Sequence, residues 1–150
     1  MAQRILAIAS GGGHWVELQR LKAAFDGFDV AYASVYPEYA EDVPDRRFYS
    51  FRDVSRWDRF GFIVLAFQIF KILIVERPKI VITTGSLPCC IILICAKYLF
   101  GAKTMWIDSI ANVQQLSSSG KLAGKFVHVW LTQWPQLANP DGPHYWGAVL

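Results

Sequence analysis

The fold is decided by residues 5–14, which read ILAIASGGGH. An apolar run at residues 5–9 precedes the glycines, and residues 15–25 carry apolar side chains at helical spacing. A strand, a glycine turn and a helix in this order surround a small concavity with backbone N–H groups and the positive end of the helix dipole. Because both favour negative charge, the sequence predicts an α/β fold with a phosphate site at its first turn.

The glycines and the histidine of this turn each have a chemical use. Gly11, Gly12 and Gly13 carry no side chain that would block a diphosphate. His14 lies at the rim, where an imidazole could take up a proton near neutral pH. A glycine-rich turn without phosphate chemistry stays open as the alternative. The dinucleotide fingerprint G-x-G-x-x-G is not satisfied, because Val16 occupies the third glycine position.

Composition limits the class of protein. The sequence has 150 residues, of which 53% are hydrophobic and 18% charged, so one rather apolar domain at residues 1–150 is expected. The net charge of +3 suits an anionic bilayer or a phosphate-bearing ligand and is too small to indicate nucleic acid. Cys89, Cys90 and Cys95 lack metal-ligand spacing and are expected to be buried thiols. Neither a metal nor a cofactor is predicted.

Strands and helices alternate along the sequence. Short segments rich in Val and Ile predict buried parallel strands at residues 4–9, 29–34, 79–83, 103–107 and 128–132. Helical spacing predicts helices at residues 14–25, 59–76, 88–100 and 120–125. Residues 36–56 are expected to form a long loop with one short strand. This order indicates a doubly wound, mainly parallel Rossmann-like sheet, whose ligands bind at the carboxyl ends of the strands.

Two further turns are expected to meet the glycine turn at that edge of the sheet. Gly85 and Ser86 follow the third predicted strand, and Asp108, Ser109 and Asn112 follow the fourth. A carboxylate facing a glycine turn and a histidine suits phosphate-linked sugar chemistry. The structural alternatives are a capping or turn role for Asp108 and a local backbone bond for Asn112.

The helix at residues 59–76 is also a candidate membrane contact. Gln68 and Lys71 interrupt its apolar stretch, which is shorter than the roughly 20 residues of a membrane span. We expect its broader apolar side to lie on lipid while flanking cations meet head groups, and packing in the protein core is the alternative. The residues expected to contact the bilayer are Arg56, Arg59, Phe62, Leu65, Ile69 and Lys71. The first strand begins near residue 4, so no signal peptide is expected.

Four blocks of the sequence resemble one family. They are SGGGH at residues 10–14, TTG at 83–85, WIDSIANV at 106–113 and TQWP at 132–135. Together they resemble the oligosaccharide-biosynthesis family that includes the membrane-recruiting subunit of the dolichol-linked N-acetylglucosamine transferase and the bacterial PssD-like exopolysaccharide subunits. The resemblance extends over nearly the whole sequence.

This resemblance implies a division of labour between two chains. The family is similar to the N-terminal half of GT-B glycosyltransferases such as MurG, in which two Rossmann-like halves close over a cleft. The resemblance implies that this chain forms the side of the enzyme that binds the acceptor and the membrane. It would lie peripherally at the cytoplasmic face of the inner membrane. A separate donor-binding subunit would hold the UDP-sugar. The implied acceptor is an undecaprenyl-diphosphate-linked sugar of exopolysaccharide or capsule biosynthesis. A non-catalytic scaffold that recruits a self-sufficient transferase is the alternative.

The resemblance also assigns roles to residues. His14 would be the base that deprotonates the acceptor hydroxyl, with Asp108 as its competitor, and Asn112 would orient the acceptor. The loop that contains Gly11, Gly12 and Gly13 would face the acceptor's diphosphate. Gly85, Ser86 and Ser109 are further candidates for binding the acceptor or its phosphates. Residues 145–150 are expected to lead towards a second domain. Eukaryotic members carry an N-terminal membrane anchor that this sequence does not show, so attachment is expected to rest on residues 56–75.

Overall fold

The computed structural model describes residues 1–149. Within them, parallel strands form one sheet in the order β3-β2-β1-β4-β5-β6-β7. The strands are β1 (Arg4–Ile8), β2 (Asp29–Ser34), β3 (Arg47–Ser50), β4 (Ile80–Thr83), β5 (Lys103–Ile107), β6 (Val129–Thr132) and β7 (His144–Tyr145). The chain moves outward from β1 to β3 and then returns to β4 on the other side of β1. This reversal of direction opens a crevice at the carboxyl ends of β1 and β4.

Helices cover both faces of the sheet. They are α1 (Gly13–Arg20), α2 (Arg59–Glu76), α3 (Leu87–Phe100) and α4 (Ser118–Ala123). On one face Trp15 and Leu18 of α1 pack against Ile107. On the other face the buried side chains of α2, α3 and α4 pack against Trp106. Because both faces are covered, the central strands β1, β2 and β4 are mainly apolar and do not alternate between apolar and polar residues. The doubly wound parallel fold expected from the sequence is confirmed.

The predicted elements differ from the structure mainly at their ends. The first helix becomes a 3-10 turn at Lys22–Phe25, and the long loop contains a 3-10 helix at Pro37–Asp42 besides the expected short strand β3. Strand β7 is not predicted from the sequence, because it is two residues long and exposed and therefore has no apolar periodicity. Leu150, at the end of the predicted 145–150 segment, lies outside the described residues.

The cysteines lie in α3. Cys89 and Cys90 are buried, and Cys95 is half-buried. Burial raises the pKa of Cys89 and that of Cys90 to about 11, so both thiols stay protonated at neutral pH. The prediction of buried thiols is confirmed for these two.

The orientation of α2 corrects the expected lipid-facing side. Leu65 and Ile69 are each 1% exposed and pack in the core, so the prediction that they contact a bilayer is wrong. Phe62 is half-buried against the same core. The large apolar side chains that α2 turns outward are instead Phe60, Ile63, Phe67, Phe70, Ile74 and Val75. Within residues 1–149, no helix combines the length and the hydropathy needed to cross a bilayer.

Candidate active site

His14 joins the glycine turn to the turn after β4. Its carbonyl oxygen accepts a hydrogen bond of 2.6 Å from Thr84 Oγ1. Its imidazole lies over Gly85, where an added Cβ would come within 2.6 Å of the ring carbon Cε1. Gly85 also has a φ of +141°, a conformation that other residues rarely adopt. The structure therefore brings together the histidine and the second glycine turn, as the sequence predicted.

The imidazole of His14 keeps hydrogen-bonding capacity for a ligand. Its Nδ1 is shielded from solvent and has no hydrogen-bond partner within residues 1–149. A shielded polar atom without a partner costs free energy, so it favours the binding of a group that supplies one. Within the described residues, Nδ1 is thus not used in a structural hydrogen bond.

The glycine turn presents backbone amides to an open surface. Gly12 has a φ of +64°, and added Cβ atoms at Gly12 or Gly13 would meet nothing within 4 Å. Among residues 1–149 no side chain caps the start of α1, so the N–H groups of its first turn are available to a ligand. The amide of Gly12 donates to the Tyr39 hydroxyl over 3.0 Å. An anionic group can therefore approach this turn closely and be met by backbone donors.

Aromatic side chains from the 3-10 segment at Pro37–Asp42 and its approach line this turn. The Tyr36 ring covers Gly11 so closely that a Cβ there would collide with it. Tyr39 stacks on Trp15, with ring centroids 4.9 Å apart and planes 8° apart. Neither tyrosine is predicted from the sequence as part of the site. The signal that could have found them is the density of aromatic residues in the loop at 36–56, directly after the second strand.

The start of α3 is the second helix terminus at this edge. Ser86 precedes α3 and has a φ of +101°, which costs a non-glycine residue on the order of 1–3 kcal/mol. Its hydroxyl donates to the Cys89 sulfur over 3.1 Å. The contact between His14 and Gly85 places the N-termini of α1 and α3 beside each other. Both helix dipoles therefore favour an anion at the crevice between β1 and β4.

Asp108 is committed to the fold of its own loop. It is 1% exposed, and its carboxylate accepts from Trp106 Nε1 (3.1 Å), from Asn112 Nδ2 (3.0 Å), and from the amide (3.0 Å) and hydroxyl (2.6 Å) of Ser117. Four donors occupy the carboxylate oxygens, which is the arrangement expected of the turn-capping alternative. The base role of Asp108 stays a prediction. The side-chain amide nitrogen of Asn112 donates to this carboxylate, and its side-chain oxygen is left to accept from a ligand.

Ser109 is likewise turned inward. It is 8% exposed, and its hydroxyl donates to Glu17 Oε1 over 2.7 Å, so the hydroxyl is already used within the chain, and the phosphate contact at Ser109 stays a prediction. The same carboxylate accepts from Gln133 Nε2 over 2.8 Å through its other oxygen. Glu17 is not predicted from the sequence as part of the site, because a glutamate in an amphipathic helix is usually solvated. Gln133 lies in the TQWP block, whose chemistry the sequence analysis did not explain.

The cations expected near lipid are exposed and surround the outer face of α2. Arg56 and Arg59 lie at its start, and Lys71 lies near its end. Their exposure is compatible with contact to head groups, which stays a prediction. Among residues 1–149, no group of three or more His, Cys, Asp or Glu side chains is arranged to hold a metal ion.

Comparison with known sequences identifies relatives of this chain. Residues 57–149 match the family model for "Oligosaccharide biosynthesis protein Alg14 like". The "UDP-N-acetylglucosamine transferase subunit alg14" of Schizosaccharomyces pombe is 37% identical over 66 residues. This alignment covers 41% of the present chain and 31% of the yeast protein, so the chain matches about a third of that relative's length.

Solved structures share the fold at low sequence identity. MurG of Acinetobacter baumannii superposes with a TM-score of 0.71 at 12% identity, over 91% of this chain and 42% of MurG. UDP-N-acetylglucosamine 2-epimerase of Rickettsia bellii gives 0.68 at 12% identity, over 91% of this chain and 40% of the epimerase. The chain thus has the fold of less than half of each enzyme. Because the family model covers more than half of the sequence, the chain belongs to the oligosaccharide biosynthesis Alg14-like family, which confirms the resemblance of its sequence blocks.

Proposed function

We propose that this chain is the acceptor-side subunit of a glycosyltransferase. The reaction moves a sugar from a UDP-sugar to a polyprenyl-diphosphate-linked acceptor, which in the bacterial setting is the undecaprenyl lipid of exopolysaccharide or capsule biosynthesis. Family membership supports this, since the yeast relative is by name a subunit of a UDP-N-acetylglucosamine transferase. A second, donor-binding chain that holds the UDP-sugar is part of this proposal, because a subunit by name has at least one partner chain.

The observation that carries the proposal is the paired helix start beside His14. The glycine turn, the first turn of α1 and the start of α3 open at one crevice, where backbone amides and two helix dipoles favour a diphosphate. The acceptor's diphosphate binds there, with Gly12 and Gly13 allowing its close approach. Its sugar hydroxyl then lies near the His14 imidazole.

His14 acts as the general base in this proposal. It takes the proton of the acceptor hydroxyl while that oxygen forms a bond to the anomeric carbon of the donor sugar. The bond from this carbon to the UDP oxygen breaks with inversion, and UDP leaves with the electron pair. The donor-binding chain stabilises the leaving diphosphate. Asp108 serves indirectly, by holding Asn112 and its loop in place.

The outer face of α2 is the proposed contact with the membrane, at the cytoplasmic face of the inner membrane. Phe60, Ile63, Phe67, Phe70 and Ile74 recur at alternating intervals of three and four residues and form one exposed apolar stripe along the helix. Arg56, Arg59 and Lys71 supply cations beside the stripe. An apolar stripe with flanking cations is typical of helices that lie in the plane of an anionic membrane surface.

Substitution of His14 tests the proposed chemistry. In a complex reconstituted with the donor-binding chain, His14→Ala should lower turnover by about 10²-fold or more, the usual size of a general-base contribution. His128→Ala is the matched control, because His128 lies at the opposite edge of the sheet, before β6, and should stay within about twofold of the wild type. Near-normal turnover of His14→Ala would instead favour the recruiting scaffold.

A further inference from the structure

We propose that Glu17 is a positioning residue that fixes the loop after β5 and the segment after β6 relative to His14. The proposal concerns the same site as the proposed function, and its catalytic consequence rests on that function. The structural part does not, because it predicts which loops lose order when the carboxylate is removed.

The first observation is an unusual buried charge. Glu17 is 4% exposed, and among residues 1–149 no Lys, Arg or His lies close enough to form an ion pair with it. A carboxylate buried without a cation is expensive, and an apolar residue at this position of α1 would pack at lower cost. The neutral donors Ser109 and Gln133 are its hydrogen-bond partners. Packing alone therefore does not explain why a glutamate occupies this position of α1.

The second observation is what these two donors connect. Ser109 lies two residues after β5, and its hydroxyl also accepts from the amide of Ala111 over 3.2 Å. Gln133 directly follows β6, and its Nε2 donates to the carbonyl oxygen of Asp108 over 3.0 Å as well as to Glu17. One carboxylate thus fixes the start of the Asp108 loop directly through Ser109 and indirectly through Gln133.

The connection also reaches the described end of the chain. Gln133 Oε1 accepts from the backbone amide of Val149 over 2.8 Å. Every polar atom of this buried side chain is consequently paired, with each partner in a different part of the chain. Such a fully satisfied buried network holds one arrangement of its loops, because any other arrangement would leave a buried donor or acceptor unpaired.

The third observation is the position of Glu17 relative to His14. They are three residues apart on α1, so they lie on neighbouring turns of one helix face. The placement of α1 that brings His14 into contact with Gly85 therefore also brings Glu17 into contact with the loops after β5 and β6. Asn112, which is held by the Asp108 carboxylate, is positioned relative to the imidazole through this rigid path. A displacement of about 1 Å between reacting groups can lower the rate about 10²-fold, so the position that these contacts give Asn112 relative to His14 should affect turnover.

Hydrogen exchange of the isolated chain tests the structural part. Glu17→Ala should raise amide exchange at least about tenfold in residues 109–117 and 133–137, with β1 and β4 unchanged. Glu17→Gln should restore protection, because its amide can accept from Gln133 and donate to Ser109. Glu38→Ala, at an exposed carboxylate, is the matched control and should change neither loop. Unchanged loops in Glu17→Ala, or a uniform rise across the sheet, would overturn the proposal.

A second variant covers the case in which Glu17→Ala does not fold. Ser109→Ala removes one donor and leaves α1 intact, and it should raise exchange in residues 109–117 more than in 133–137. Equal protection in Ser109→Ala and the wild type would contradict the proposal.

Turnover of the reconstituted complex tests the catalytic part. Glu17→Ala should lower kcat about tenfold or more at an unchanged KM for the UDP-sugar, and Glu17→Gln should recover to within about threefold. Wild-type turnover in Glu17→Ala would overturn the positioning role. If the wild-type complex transfers no sugar, the proposed function fails, while hydrogen exchange still decides the role of Glu17.

Discussion

At Gly85, both the backbone conformation and the contact with the His14 ring require a residue without a side chain. Its φ of +141° and the His14 ring above it both exclude a side chain. Gly85→Ala should lower the free energy of unfolding by about 1–3 kcal/mol, because the backbone is strained and the ring must move. Urea unfolding monitored by circular dichroism measures this change.

Gly13→Ala is the control for that substitution. A Cβ at Gly13 meets nothing within 4 Å, and the residue lies in the first turn of α1, so alanine should leave stability unchanged or raise it by up to about 1 kcal/mol. Equal unfolding midpoints for the two variants would show that Gly85 tolerates a side chain.

Individual side chains also show how far sequence reasoning reached. The proximity of His14 and Gly85 follows from the sequence because strand-to-helix turns of a parallel sheet meet at one edge. The hydrogen bonds of Asp108 and Ser109 do not, because sequence does not reveal which polar groups a loop uses for itself. Both side chains are buried and bonded within the chain, which a motif match cannot distinguish from exposure to a ligand.

The exposed stripe of α2 carries the prediction at the scale of a single element. Phe67→Ser combined with Phe70→Ser should weaken binding to phosphatidylglycerol–phosphatidylethanolamine vesicles by at least about tenfold, because each phenyl ring contributes up to about 1.5–3 kcal/mol when buried. Co-sedimentation with vesicles measures the change. Val16→Ser is the control, since Val16 is similarly exposed on α1, which covers the opposite face of the sheet.

The vesicle experiment also separates lipid from other occupants of the stripe. Arg56→Glu with Arg59→Glu should weaken binding to anionic vesicles and leave binding to neutral vesicles little changed. If the Phe67 and Phe70 variant binds vesicles like the wild type, the stripe is not the membrane contact.

The bounds of α2 agree with those expected from the sequence, whereas its rotation does not. Apolar residues occupy most of its circumference, so helical periodicity does not distinguish the side that packs on the sheet from the side that faces outward. Leu65 and Ile69 pack inward only because the neighbouring helix and strands fix the docking angle. Element type follows from local pattern, but orientation depends on tertiary contacts.

An ion-pair network at the amino ends of the strands connects segments that are far apart in the sequence. Glu76, at the end of α2, is 2% exposed and accepts from Arg47 Nε over 2.9 Å and from the Tyr49 hydroxyl over 2.5 Å. Burial alone would raise the pKa of Glu76, but these hydrogen bonds outweigh burial and hold it below 4.5. The network joins α2 to β3, the outermost strand at that side of the sheet.

The lowered pKa of Glu76 predicts how stability depends on pH. Its contribution is fully present above about pH 4.5, the value for the unfolded chain, and is lost as the pH falls through the lower folded-state pKa. Glu76→Gln should lower the free energy of unfolding at pH 7 by about 1–3 kcal/mol and flatten its decline below pH 4.5. Urea unfolding between pH 3 and 7 measures both, with exposed Glu41→Gln as the control. An unchanged slope in Glu76→Gln would contradict this account.

The central claim at the scale of the whole molecule is that this chain holds the acceptor half of an active site completed by a second chain. The direct measurement is transfer of labelled N-acetylglucosamine from its UDP donor to a polyprenyl-diphosphate-linked sugar. The purified chain is assayed alone and together with the proposed donor-binding chain. The account predicts no turnover above background alone and clear turnover with the partner. Robust transfer by the chain alone would contradict it.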